Sequence, residues 1–142
     1  MRIPSELEEN LAKIAQKHRV KMILVFGSAV SSRLHALSDL DLAVFYKEAD
    51  FSWDKYTDLL FDLQKIFPQK EIDLAIINRA DPLFLKKITE NCRLLYGSSR
   101  ELAELKIYAF KRYADHKRYL EMEEEFVDHF IDRHLKRGSL DR

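Results

Sequence analysis

Cysteine occurs once in the 142 residues, at Cys92. That excludes an internal disulfide framework and fits a reducing compartment. Glycine and proline occur three times each, too few for a chain built from tight turns and long loops. Neither sign of charge is in excess: Lys plus Arg and Asp plus Glu both number 24, so no global basic field draws the chain to nucleic acid. A direct nucleic-acid partner is not expected. Long hydrophobic runs are also missing, because the longest, Met22 to Phe26, falls far short of the ~20 residues a membrane helix needs. The segment from Met1 to Lys17 is charged and helical in pattern, unlike a signal peptide, so a cytoplasmic protein with no membrane partner is expected. There is no internal repeat or low-complexity tract, and the length suits one domain.

The informative stretch runs from Met22 to Tyr46, MILVFGSAVSSRLHALSDLDLAVFY. An apolar run ends at Gly27-Ser28, a polar connection follows, and a second apolar run opens through Asp39 and Asp41. On a strand, alternate side chains share a face, which puts Asp39 and Asp41 together roughly 7 Å apart and turns Leu40, Leu42 and Val44 the other way. Two carboxylates at the mouth of a buried strand are costly without compensation, and hard carboxylate oxygens suit Mg²⁺ completed by water and phosphates. Gly27 allows a close backbone approach, and the amides from Ser28 onward can face a phosphate if a helix begins there.

Taken in order, the chain reads as mixed α and β. Ser5 and Glu8 have capping-box spacing ahead of a helix over about Ser5 to Lys17. Met22 to Phe26 and Leu40 to Tyr46 are strands, followed by a helix starting among Asp50, Ser52 and Asp54 and closed by Pro68. Glu71 to Ile77 is a third strand with Glu71, Asp73 and Ala75 on one face. A strand, helix and strand form a crossover unit, so the second and third strands are expected to be parallel, with acids near the starting end of each. That brings Asp73 toward Asp39 and Asp41 from 32 residues beyond Asp41. Asp81-Pro82 opens a short helix through about Glu90, Arg93 to Tyr96 suit an edge strand, and Ser98 with Glu101 begins a helical pattern that no Pro or Gly interrupts before Lys136.

Gly27-Ser28, ten residues, then Asp39-x-Asp41 resembles the motif of the polymerase-beta-like nucleotidyltransferases. Within them the chain is most similar to the minimal nucleotidyltransferases, the MNT antitoxins encoded beside HEPN ribonuclease toxins. The resemblance implies an α/β (α+β) fold, a small mixed sheet with flanking helices. It divides the chain into a nucleotidyltransferase core at 1–97 and a C-terminal helical segment at 98–142 within the same domain. It also implies that Asp39, Asp41 and Asp73 bind metal and carry catalysis, with two Mg²⁺ ions and ATP as substrate. Gly27, Ser28 and Arg33 would bind the nucleotide, and Asp73 would help activate the acceptor. Relatives commonly carry Arg or Tyr after the serine and an Arg-Gly pair in the loop. Here Ala29, Val30, Ser31 and Ser32 stand there, leaving Arg33 as the nearest cation. The implied activity is transfer of AMP from ATP to a tyrosine of a cognate HEPN toxin. Alternatives are an antitoxin acting by binding alone, and transfer to a small molecule such as an aminoglycoside.

The helical pattern after Ser98 would span ~58 Å, beyond the ~30 Å of a small domain. Either it breaks near Glu121 to Glu125, or it protrudes and needs a surface: a folded-back hairpin, a second copy, or the toxin. His129 and His134, five apart, fall on different helix faces and do not make a metal site. Arg112, His116 and Tyr119 lack the spacing of the HEPN Arg-His-Tyr motif and read as helix surface.

Overall fold

The computed structural model describes residues 4–27 and 39–136 and the side chains of all of these but 135 and 136. Ser28 and Arg33, with the rest of the connection between the first two strands, lie outside the described residues.

Two central strands are apolar on both faces, and this dictates the layering. β1 (Val20–Phe26) buries every residue but Lys21, and β2 (Leu40–Tyr46) buries all but Asp41 and Phe45. Strands of this kind need cover on both sides. They lie in the middle of a four-stranded sheet of order β3-β2-β1-β4, where β3 is Ile72–Ile76 and β4 is Cys92–Tyr96. β2 runs parallel to β3 and antiparallel to β1, and β1 runs antiparallel to β4. The expected mixed sheet, crossover and edge strand are all present.

One face is covered by α1 (Ser5–Lys17) and α2 (Trp53–Ile66), whose Leu11, Ala15, Leu59 and Leu63 meet Ile23, Val25, Leu42 and Val44. On the other, Leu85 and Ile88 of α3 (Pro82–Glu90) and Leu105 and Ala109 of α4 (Ser99–Ile131) pack on Met22, Leu24, Phe26 and Ala43. Asp81 caps α3 as its sequence predicts, accepting from the Phe84 amide at 2.8 Å. Ser98 likewise caps α4, accepting from the amides of Arg100 and Glu101.

Two expectations need correction. The Ser5–Glu8 capping box does not form, because the helix begins one residue earlier: Pro4 is the N-cap and Ser5 is already helical, so its hydroxyl cannot serve the first turn. The C-terminal helix does not break at Glu121 to Glu125, nor fold back. α4 runs for 33 residues, ~50 Å, and a π-helical turn continues it over Asp132–Lys136. Among the described residues no helix is long and apolar enough to cross a membrane.

Candidate active site

The acids gather where the parallel strands begin. Asp41 and Asp73 are register partners on β2 and β3, and Asp39 lies two residues before Asp41 on the same face. Alternation turns all three toward the side covered by α3 and α4, while Leu40, Leu42, Ile72 and Leu74 enter the opposite core. Adjacent strands stand ~4.8 Å apart, so the two register partners are forced into mutual repulsion. Asp41, half-buried, feels it most. Burial raises its pKa, the charges of Asp73 and Asp39 raise it further, and Lys87 opposes them.

Gly27 closes the other wall. It follows β1, the antiparallel neighbour of β2, with φ at +74°, and a Cβ there would lie 2.8 Å from Asp41 Oδ2. Any side chain here would strain the backbone and would have to displace that carboxylate. Gly27 is held from the far side by Asn91: the Gly27 amide donates to the Asn91 carbonyl and Asn91 Nδ2 donates to the Gly27 carbonyl, both at 3.3 Å. Asn91 directly follows α3, so this pair of bonds ties Lys87's helix to the glycine turn. Phe84 of α3 also meets Phe26 edge to face at 6.1 Å.

Lys87 and Asn91 were not singled out in the sequence. No local pattern marks either one. Only the pairing of Phe26 with Cys92, which sets the end of α3 beside the end of β1, brings them to the acids.

The donor set fits a hard divalent cation. It is all carboxylate oxygen, among the described residues it sets three acids against Lys87, and burial and the neighbouring acids disfavour the charged form of its central member. Among the described residues no three His, Cys, Asp or Glu side chains enclose a metal by themselves. A separate pocket of ≈ 360 Å³ opens at the opposite end of β2, lined by Phe45, Asn78, Leu85, Tyr108 and Arg112 among others.

The family model for polymerase beta nucleotidyltransferases matches residues 9–101, from within α1 to the start of α4. The chain belongs to that family. By sequence no curated protein matches it. Among solved structures, this nucleotidyltransferase resembles a chain of a toxin-antitoxin complex with AMP-PNP: TM-score 0.66, 17% identity, 87% of this chain and 97% of that chain covered. A chain of a mutant MntA-HpeT toxin-antitoxin pair gives a TM-score of 0.65 at 16% identity, with 87% and 97% covered. A chain of the complex of tri-AMPylated Shewanella oneidensis HEPN toxin with MNT antitoxin gives 0.62 at 16%, with 89% and 97% covered. At these identities the likeness is one of fold. It nonetheless extends well past residue 101, where the family model stops.

Proposed function

We propose that this chain is an antitoxin that transfers AMP from ATP to a tyrosine hydroxyl of a cognate HEPN-type ribonuclease. The observation that carries the reading is the acid cluster: Asp41 and Asp73 in register on parallel strands, Asp39 beside them, and a glycine turn that leaves room against Asp41 for nothing larger. The fold shared with a chain of the complex containing a tri-AMPylated HEPN toxin supports the choice of acceptor. Residues 1–97 supply the chemistry in this reading, and 98–142 extend the same domain.

In the proposed mechanism Asp39 and Asp41 would hold Mg²⁺, and Asp73 would offer a further oxygen donor on the acceptor side. When bound, the metal neutralises charge on the triphosphate and on the leaving pyrophosphate. Gly27 brings backbone to the phosphates, and Asn91 fixes the position of that backbone. The acceptor oxygen forms a bond to the α-phosphorus as the bond from that phosphorus to the bridging oxygen breaks. The phenolic proton passes to Asp73 and then to water, while the electron pair of the broken bond leaves with pyrophosphate.

Incubating the chain with Mg-ATP and the ribonuclease of the adjacent gene, then weighing the ribonuclease, tests the reading. The expected product gains whole AMP units on tyrosine. Asp73→Asn should keep its KM for ATP near the wild-type value and lose kcat by roughly 10²–10⁴. A ribonuclease that is inhibited at unchanged mass would mean an antitoxin that works by binding alone, and full transfer by Asp41→Asn would mean the chemistry lies elsewhere.

A further inference from the structure

Among the described residues, nothing covers the far half of α4. Leu105 and Ala109 are buried and Tyr113 and His116 half-buried, but every described side chain from 117 to 134 is exposed. The exposed part is not a uniformly polar face. Tyr119, Met122 and Phe126 are 63%, 62% and 71% exposed, and Leu120, Val127, Phe130 and Ile131 are also open to solvent.

Their spacing is that of a helix seam. Tyr108, Arg112, Asp115, Tyr119, Met122 and Phe126 follow one another by steps of four and three, the 3.5-residue repeat of two helices packed along their length. At 100° per residue the six lie within an arc of about 80°. That arc lies to one side of the stripe through Leu105 and Ala109 that already meets the sheet, and among the described residues its part beyond His116 is uncovered.

The charge along the same helix is polarised. From Lys106 to Arg118 it carries five Lys or Arg and one acid, Asp115, and from Glu121 to Asp132 it carries six acids and no Lys or Arg. Among the described residues, none of Lys111, Lys117, Arg118, Glu121, Glu123, Glu124 or Glu125 is in an ion pair. A partner of one charge sign would satisfy one half of this helix and repel the other. A second copy laid parallel would set base on base and acid on acid. Laid antiparallel, it satisfies both halves twice.

We propose that two copies of this chain pair through α4, antiparallel, about a twofold axis near Leu120. The contact is self-complementary, as a twofold interface must be. Tyr119, Phe126 and Phe130 from each copy give six aromatic rings to the seam; at ~150–250 Å² for each fully buried ring, the area is on the order of 1,000 Å², the lower bound for a specific interface. The whole seam lies beyond residue 101, outside the part that the family model matches.

Sedimentation of the full chain over a range of concentration and salt tests the pairing, with two reversed-charge variants. Lys117→Glu with Arg118→Glu removes every Lys and Arg between Asp115 and Asp132, and Glu123→Lys with Glu124→Lys adds bases to the acidic half. The wild type should dimerise with a Kd that rises with salt. Each variant should dimerise at least tenfold more weakly while its far-UV spectrum and melting temperature stay as in the wild type, and an equimolar mixture of the two should recover a dimer. A wild-type chain that stays monomeric, or associates only with the ribonuclease, overturns the proposal. So do variants that dimerise like the wild type, and a mixture that recovers nothing.

Discussion

Gly27 and Asp41 are packed so closely that a Cβ on residue 27 would lie 2.8 Å from Asp41 Oδ2, on a backbone whose φ of +74° already disfavours any side chain. Gly27→Ala therefore has two effects. The left-handed backbone costs roughly 1–3 kcal/mol of stability, and the methyl group pushes the Asp41 carboxylate out of line with Asp73. A modest fall in melting temperature with loss of Mg-ATP binding is expected. An alanine variant that binds Mg-ATP like the wild type would show that the glycine serves only the turn.

Asp41 carries a stability cost that depends on pH. Its folded pKa stands above its unfolded value, chiefly through burial and then through Asp73. The folded chain thus binds that proton more tightly, and stability falls as pH rises from the ordinary carboxylate pKa through the raised one. Asp41→Asn removes the loss. At neutral pH without divalent ions the variant should melt above the wild type, the gap closing as pH drops below that window, while nucleotidyl transfer disappears. A variant that melts lower at neutral pH would show that the carboxylate makes a stabilising contact.

Much of this arrangement is legible in the sequence because it depends on short-range alternation. Asp39, Asp41 and Asp73 follow from period-two strands and one crossover, and the register of Asp41 with Asp73 meets that expectation. Lys87 and Asn91 are a different kind of fact. They reach the site only because β4 returns beside β1, a long-range pairing that no local pattern encodes. The continuity of α4 through Glu121 to Glu125 reflects competing local effects. Like charges four apart repel by a few tenths of a kcal/mol, whereas glutamate is among the better helix formers and no Gly or Pro offers a break.

Lys87 and Arg33 compete for one role. The glycine turn lacks a basic residue close behind Ser28, and among the described residues Lys87 is the cation whose charge acts on Asp41. If Lys87 faces the triphosphate, Lys87→Gln should weaken binding of an ATP analogue by about tenfold, or ~1.4 kcal/mol, with Mg²⁺ present. Arg33→Ala should then change affinity little. Calorimetric titration of both variants separates the two: a loss confined to Arg33→Ala returns the role to the loop and leaves Lys87 as a screen for the acids.

The last prediction lies on the opposite face, where α1 and α2 are joined by charge. Asp62 accepts from Lys17 Nζ at 2.9 Å and lies 2.6 Å from His18 Nε2, and its pKa is held below the usual carboxylate value by the hydrogen bond with His18 first and that from Lys17 second. The two partners differ in exposure. The Lys17 side chain is 68% exposed and that of His18 10%, so solvent screens the first contact far more than the second. A lowered folded pKa stabilises the fold above the unfolded value, and that stability is lost as pH falls through the folded one. Asp62→Asn should therefore cost about 1–3 kcal/mol at neutral pH, and the difference from wild type should shrink on acidification from the ordinary carboxylate pKa downward. Lys17→Ala should cost under about 1 kcal/mol throughout. Urea unfolding of the three proteins at several pH values checks both; a Lys17→Ala loss as large as that of Asp62→Asn would make the exposed contact the stronger one.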